Sequence, residues 1–587
     1  MCYTAQEIRR YSSVEGPTPR MNYVPINGLR MLAIETSLLL AFFVAAFLVL
    51  RFVQPKMTRP RWYDALLAKN SRSVILVIAL ALIGRALVLP WVGIPQPRIN
   101  DEYSYLLMAD TFAHFRLTNP TPPGWQHFET FHVNLKPTYH SKYPIAQGLV
   151  LSVGEIVFHQ PWIGIYLITA FLCGAICWSL QALVSPEWAL VGGLLATFRI
   201  AFFSYWMNSY WGGSVPALGG ALALGAVVRL FADYKSKRNR ALYASLFAAS
   251  LLLLATSRPY EGLAFSLPLL CYFGYKIIHG MLLQERQYAS VLVPVVTIGL
   301  AGVALIAYYN HRTTGHSLLM PYVLNERTYS ELPLFLGQHV EVNSPARDPV
   351  FARYYIVEAE EHEYEKTKSP SGILSLEILR SWLNWFFYVG PALSVPVLIG
   401  FLVAFHQRRL WIALAVAFTT QLAVALCIFT QPHYFSPATV AIYVFAAAGL
   451  CHFWKHGSGE RAFVIAVCLT TVVVSLGRQT GSSAMNASFT FPNVRNLVAQ
   501  QLEYQPGKQL VLVSYDMNHH YPGDELVHNG ADFSSEKILW ARSKGPGKDS
   551  DLCSAYSDRT FWSVTTDDKT FSLRPLDICS SPVEPRE

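Results

Sequence analysis

Asp101 and Glu102 stand side by side in the run Ile99-Asn100-Asp101-Glu102-Tyr103, directly after an apolar stretch. Two carboxylates placed there suit two jobs. One is chemistry, since a carboxylate can take a proton from a hydroxyl nucleophile or hold a cation. The other is local, since an acid at a helix start accepts the unpaired backbone N–H groups of the first turn. Adjacent helical residues point about 100° apart, so the two acids cannot address one atom. If one acts, the other supports it or binds a cation.

A second set of candidates follows in the next forty residues: Trp125, His127, Glu129, His132, His140, Lys142 and Tyr143. These groups could meet a charged, sugar-like ligand. A divalent metal on the histidines and Glu129 is an open alternative, although their spacing matches no tight site, and no cofactor is certain. Further along, Arg199 lies inside an apolar run, where a charge normally lines a cavity. The aromatic run from Ser204 to Gly213 has interfacial belt positions as its plainer reading. Arg258 and Glu261 lie at one expected outer turn, with His433 and Tyr434 at a later one. Brought together, Arg258, His433 and Tyr434 would make a phosphate-binding cluster, because a guanidinium grips two phosphate oxygens at once. Taken singly, each is as well explained by structure.

The elements that must position these residues are membrane helices. The 587 residues are 52% hydrophobic and only 14% charged, with a mean hydropathy of +0.29. Soluble domains carry about 25% charged residues. Apolar runs of about 17 to 25 residues recur along the chain, each long enough to cross a bilayer. The expected class is an all-α polytopic membrane protein of about 12 transmembrane helices, ending in a small α/β extracytoplasmic domain. The first apolar run starts near Leu29 and is too long for a signal-peptide core, so it reads as a retained span. The formal net charge of +8 does not call for nucleic acid, because the Lys and Arg residues sit in short loops, where topology explains them.

Placing the basic loops in the cytoplasm yields one consistent path. Arg51, Lys56, Arg59, Arg61, Lys69 and Arg72 precede the apolar run from Val74 to Val92. Asp101 and Glu102 therefore emerge on the opposite side. The chain divides into an N-terminal span and basic segment (1–72), a membrane region (73–477) with outer loops at 96–160 and 310–380, and an outer tail (478–587). Ile145 to Val157 is apolar but short, and suits a helix lying at the interface. The acidic run Glu358 to Glu365 reads as a solvated helix face. In the tail, Gln509 to Tyr515 and Thr560 to Val564 read as strands. Cys553 and Cys579, both in the tail, could pair if it lies in an oxidising compartment, whereas Cys173 and Cys177 read as packing residues. No P-loop, dinucleotide fingerprint, nucleophile elbow or zincin signature occurs, which disfavours a nucleotide-driven pump.

An outward acid pair after an early span, followed by an outer loop ending in a Lys-aromatic-Pro element, resembles the C-type (GT-C) superfamily of membrane glycosyltransferases. The resemblance is nearest to the bacterial relatives of protein O-mannosyltransferases and to lipid A aminoarabinose transferases. Asp101-Glu102 matches the acidic motif of that family. Lys142-Tyr143-Pro144 is similar to its Lys-Pro-Pro element, with Tyr143 in place of the first Pro. The likeness runs over roughly residues 73 to 280, and the tail has no obvious counterpart. It implies sugar transfer from a polyprenyl-phosphate donor to a glycan, lipid or protein acceptor at the outer face of a bacterial plasma membrane. Asp101 and Glu102 would then be catalytic. Lys142, Tyr143, Arg199, Arg258, Glu261, His433 and Tyr434 would bind substrate. The rival reading is a non-catalytic transporter or scaffold for lipid-linked saccharides; the paired, broken helices usual in transporters are not apparent in the sequence.

Overall fold

The computed structural model describes residues 26–53, 60–232, 236–282, 288–330, 332–338, 361–429, 431–477, 494–515, 525–567 and 570–579. Part of the acidic run from Glu358 falls outside these residues; its remainder begins the helix Glu361–Thr367.

Helices dominate the described residues. Eight segments among the described residues are long and apolar enough to cross a membrane: Arg30–Val53, Asn70–Val92, Trp162–Leu180, Lys237–Ser257, Ala289–Thr314, Pro370–His406, Pro432–Trp454 and Ser458–Gly477. The chain is a multi-pass membrane protein on that basis, while the count of about 12 is not reached. Pro186–Ala196 has 11 residues, Ser214–Leu230 has 17 and Trp411–Ala425 has 15. Ile145–Phe158, at 14 residues, matches the short helix expected at the interface.

Small residues let the helix backbones approach closely. A Cβ on Gly400 would fall 1.7 Å from the Phe445 carbonyl oxygen, and one on Gly449 would fall 1.9 Å from that of Pro396. The helices Gly390–His406 and Thr439–Trp454 therefore meet backbone to backbone. Gly220 does the same against Pro437, where a Cβ would lie 1.9 Å from a carbonyl oxygen. Without a hydrophobic drive between helices in lipid, close packing of this kind is a main source of association. It also carries the Pro432–Ala438 turn deep into the bundle, where His433 is buried.

The tail folds as expected from its β-branched and aromatic runs. Strands β3 (Lys508–Tyr515), β4 (Ile538–Arg542), β5 (Arg559–Thr566) and β6 (Phe571–Pro575) form one sheet in the order β4-β3-β5-β6. β3 is parallel to both β4 and β5, and β6 runs antiparallel to β5. Cys553 and Cys579 are joined by a disulfide. The tail does not stand apart. Leu510, Leu512, Leu539 and Phe561 of the sheet share one apolar core with Leu107, Phe128, Val133 and Tyr139 of the first outer loop. In that loop β1 (Val133–Asn134) pairs antiparallel with β2 (His140–Ser141), which fixes the approach of the chain to Lys142 and Tyr143.

Candidate active site

The helix Asn100–Ala113 starts immediately beyond the turn that closes the span Asn70–Val92. Glu102, in its first turn, folds back: Oε2 accepts from the backbone N–H of Arg98 at 2.8 Å and of Ile99 at 3.3 Å. Its Oε1 accepts from the N–H of Tyr210 at 2.8 Å, in the aromatic run that ends the Thr197–Ala201 turn region. The side chain is buried, and burial pushes its carboxyl up to about 7, against the pull of those three donors. Glu102 is thus a buried tie between two loops. The helix-start reading is realised by Glu102.

Asp101 points elsewhere and is only partly buried. Its Oδ1 accepts the hydroxyl hydrogen of Tyr143, whose oxygen lies 3.2 Å from Nδ1 of His132. Tyr143 stacks on Tyr105, with ring centroids 4.4 Å apart. Burial and the Asp101 charge hold the Tyr143 phenol well above its ordinary value, so it stays a donor. Burial, with the Lys142 ammonium pushing the same way, lowers His132 to about 3 and keeps its ring neutral.

Residues from far along the chain close around this group. Tyr105 lies within electrostatic reach of Arg258, Asp101, Tyr434 and Glu261. The Arg258 guanidinium lies over the Tyr434 ring at 4.7 Å and pairs with Glu261 at 3.3 Å. His433 sits beside it, its Nδ1 3.1 Å from the Tyr205 hydroxyl and its ring 4.5 Å from that of Trp211. Lys142 is buried against Glu326, Nζ to Oε1 3.1 Å, and lies over the Tyr322 ring at 4.7 Å. Asp101 with Tyr143, and Arg258 with Glu261 and Tyr434, thus form two contacting groups within electrostatic reach of each other. Lys142 follows Tyr143 at its edge, and His433 stands beside Tyr434. Together they offer a carboxylate, a fork-shaped cation and stacked aromatic faces, a set suited to an acidic headgroup and a sugar ring.

Arg199 does not join it. Its guanidinium donates to the carbonyls of Phe386 and Phe387, at 2.5 and 2.9 Å, and lies 3.9 Å from Glu35 of the first span. Glu35 in turn accepts from the N–H of Ala392 at 3.0 Å. The charge that reads as a cavity liner is a buried link between the N-terminal span and the start of the helix Gly390–His406.

The histidines of the first outer loop have partners of their own. His127 Nδ1 lies 3.0 Å from the Arg542 carbonyl oxygen and 3.5 Å from Asp549. His140 Nδ1 lies 2.9 Å from the Thr138 carbonyl oxygen. Among the described residues no three of His, Cys, Asp and Glu are grouped to hold a metal ion. Sequence reading passed over Glu326, Tyr105 and Tyr322, and saw Tyr205 only within the run given a belt reading; nothing in the local run around Glu326 points to a lysine 184 positions earlier.

No protein-family model matches the chain, and no curated protein sequence matches it. Among solved structures, it is similar to ArnT from Cupriavidus metallidurans bound to undecaprenyl phosphate, at 12% identity over 84% of this chain and 93% of that one, with a TM-score of 0.48. It is also similar to the oligosaccharyltransferase of Archaeoglobus fulgidus in complex with zinc and sulfate, at 11% identity over 84% and 67% of the two chains, with a TM-score of 0.46. At this distance the likeness says nothing of what the chain binds or transfers.

Proposed function

We propose that the chain is a membrane glycosyltransferase of GT-C type, moving a sugar from a polyprenyl-phosphate donor to an acceptor hydroxyl of a glycan, lipid or protein. The observation that carries this reading is the Asp101–Tyr143 hydrogen bond on the Tyr105 stack, within electrostatic reach of the Arg258–Glu261 pair over Tyr434. Polyprenyl phosphate is a good leaving group, so its departure needs charge stabilisation more than a proton. Arg258, already aimed across Tyr434 and held by Glu261, supplies that stabilisation. The acceptor hydroxyl needs a base on the opposite face of the sugar, and Asp101 takes that proton on its oxygen not engaged by Tyr143. A single displacement through an oxocarbenium-like state then inverts the anomeric centre. Glu102, enclosed by backbone donors, holds the loop and takes no part in proton transfer.

The site faces outward in this reading, at a bacterial plasma membrane. The Cys553–Cys579 disulfide suits an oxidising compartment. The tail that carries it shares its core with the loop bearing His132 and Tyr143, so tail and site lie on one side. Purified full-length protein, incubated with a panel of radiolabelled polyprenyl-phosphate sugars and a cell-envelope extract, tests the reading. Label leaving one donor for an envelope component supports it, and donors left intact across the panel overturn it.

A further inference from the structure

Tyr143 occupies the place where the resembling family carries a proline, and its hydroxyl has a definite use here. A phenol owns one hydroxyl hydrogen. Given to Asp101 Oδ1, it leaves the phenol oxygen free to accept, so neutral His132 must donate through Nδ1–H across their 3.2 Å contact. The order is His132 to Tyr143 to Asp101, each donor pointing toward the carboxylate.

His132 is itself held from several directions. Its backbone is left-handed, with φ 62°, a conformation that histidine, like Asn and Asp, adopts more readily than most side chains. Its carbonyl oxygen accepts from the Ser104 hydroxyl at 2.6 Å and from the Lys142 N–H at 3.0 Å. The imidazole lies nearly parallel to the Tyr143 ring, at 14°, with centroids 5.9 Å apart. Behind it, Thr130 lies 3.4 Å from His528 of the tail, which stacks on Tyr103 at 4.0 Å.

We propose that Tyr143 and His132 are positioning residues that fix the rotation of the Asp101 carboxylate, so that one oxygen is occupied and the other faces the acceptor hydroxyl. This deepens the glycosyltransferase reading and rests on Asp101 being the base. Aiming a base is worth much in rate, because a misplacement of about 1 Å can lose about 10²-fold. It should leave donor binding alone, since neither residue bonds Arg258.

The test uses the full-length protein and the polyprenyl-phosphate sugar that it turns over fastest. Tyr143→Phe keeps the ring stacked on Tyr105 and removes only the hydroxyl. Its kcat should fall on the order of 10-fold or more with the donor KM within about twofold, since the lost interaction acts on the reacting step alone. His132→Asn, whose side chain tolerates the left-handed backbone, should lower kcat as well. The double variant should be no slower than Tyr143→Phe, because both act through one chain of hydrogen bonds. Unchanged kcat in Tyr143→Phe, or losses that multiply in the double variant, would overturn the proposal while leaving the transferase reading intact. A wild type that turns over no donor removes the reading itself, and this inference with it.

Discussion

Glu102 and Tyr210, 108 residues apart, are joined by a backbone N–H···carboxylate bond of 2.8 Å that separates the duties of two adjacent acids. Glu102 spends its oxygens on three backbone donors, and Asp101 is left to face the site. In Glu102→Ala the N–H groups of Arg98, Ile99 and Tyr210 lose their acceptor. An unpartnered buried donor costs about 1–3 kcal/mol, so the variant should unfold in detergent at clearly lower temperature than wild type. Equal melting would show that the three bonds contribute nothing to stability.

The same residue gives a pH dependence with a definite sign. Burial raises the Glu102 carboxyl from 4.5 to about 7. A raised acid contributes its stability in full below the unfolded value and loses it as pH climbs through the folded one. Wild type should therefore lose stability relative to Glu102→Gln as pH rises from about 4.5 to 7, read as the difference in their melting temperatures at each pH. A difference that stays flat across that window would contradict the buried, charge-averse setting of Glu102.

Orientation can be read independently of activity. Gln338 is exposed beyond the Pro321–Tyr329 helix, and Ser236 is exposed at the start of Lys237–Ser257. A cysteine placed at 338 should react with an impermeant thiol reagent in intact cells, and one at 236 should react only after lysis, both compared with the unsubstituted protein. The reverse pattern would turn the proposed site toward the cytoplasm.

Arg258 separates a phosphate contact from a headgroup anchor. Arg258→Lys keeps the charge but loses the fork, so its donor affinity should fall between those of wild type and Arg258→Ala. A side chain that only snorkels would be replaced by lysine without loss. Equal donor affinity in all three proteins would remove Arg258 from the site and pass the phosphate to Lys142 or His433.

Much of the fold is legible in the amino-acid sequence. The apolar runs and basic loops located the helices, and the apolar run within Gln509 to Tyr515 announced a strand of the tail. The acid pair, the Lys142-Tyr143 element and Arg258 with Tyr434 were visible because buried or outward polar groups stand out in an apolar chain. Their division of labour was not. Whether Asp101 or Glu102 caps depends on Tyr210 arriving from another loop. Arg199 looked like a site residue for a sound reason, a charge inside a span, but its fate is set by Glu35 and by carbonyls of the Trp385–Val389 turn. Partners that distant are chosen by helix packing, which leaves no local pattern. The union of tail and first loop was hidden for the same reason, since each side of that core reads as an ordinary amphipathic surface.

The central claim is that Asp101 accepts the proton of the acceptor hydroxyl. Asp101→Asn preserves size and can still meet Tyr143, while removing the basicity. Rate of sugar transfer from the best polyprenyl-phosphate donor, measured at saturation for wild type and Asp101→Asn at matched folded protein, tests it most directly. The account predicts a loss of about 10²–10⁴-fold, the usual contribution of a general base, with donor affinity retained. Near-normal turnover in Asp101→Asn would contradict it.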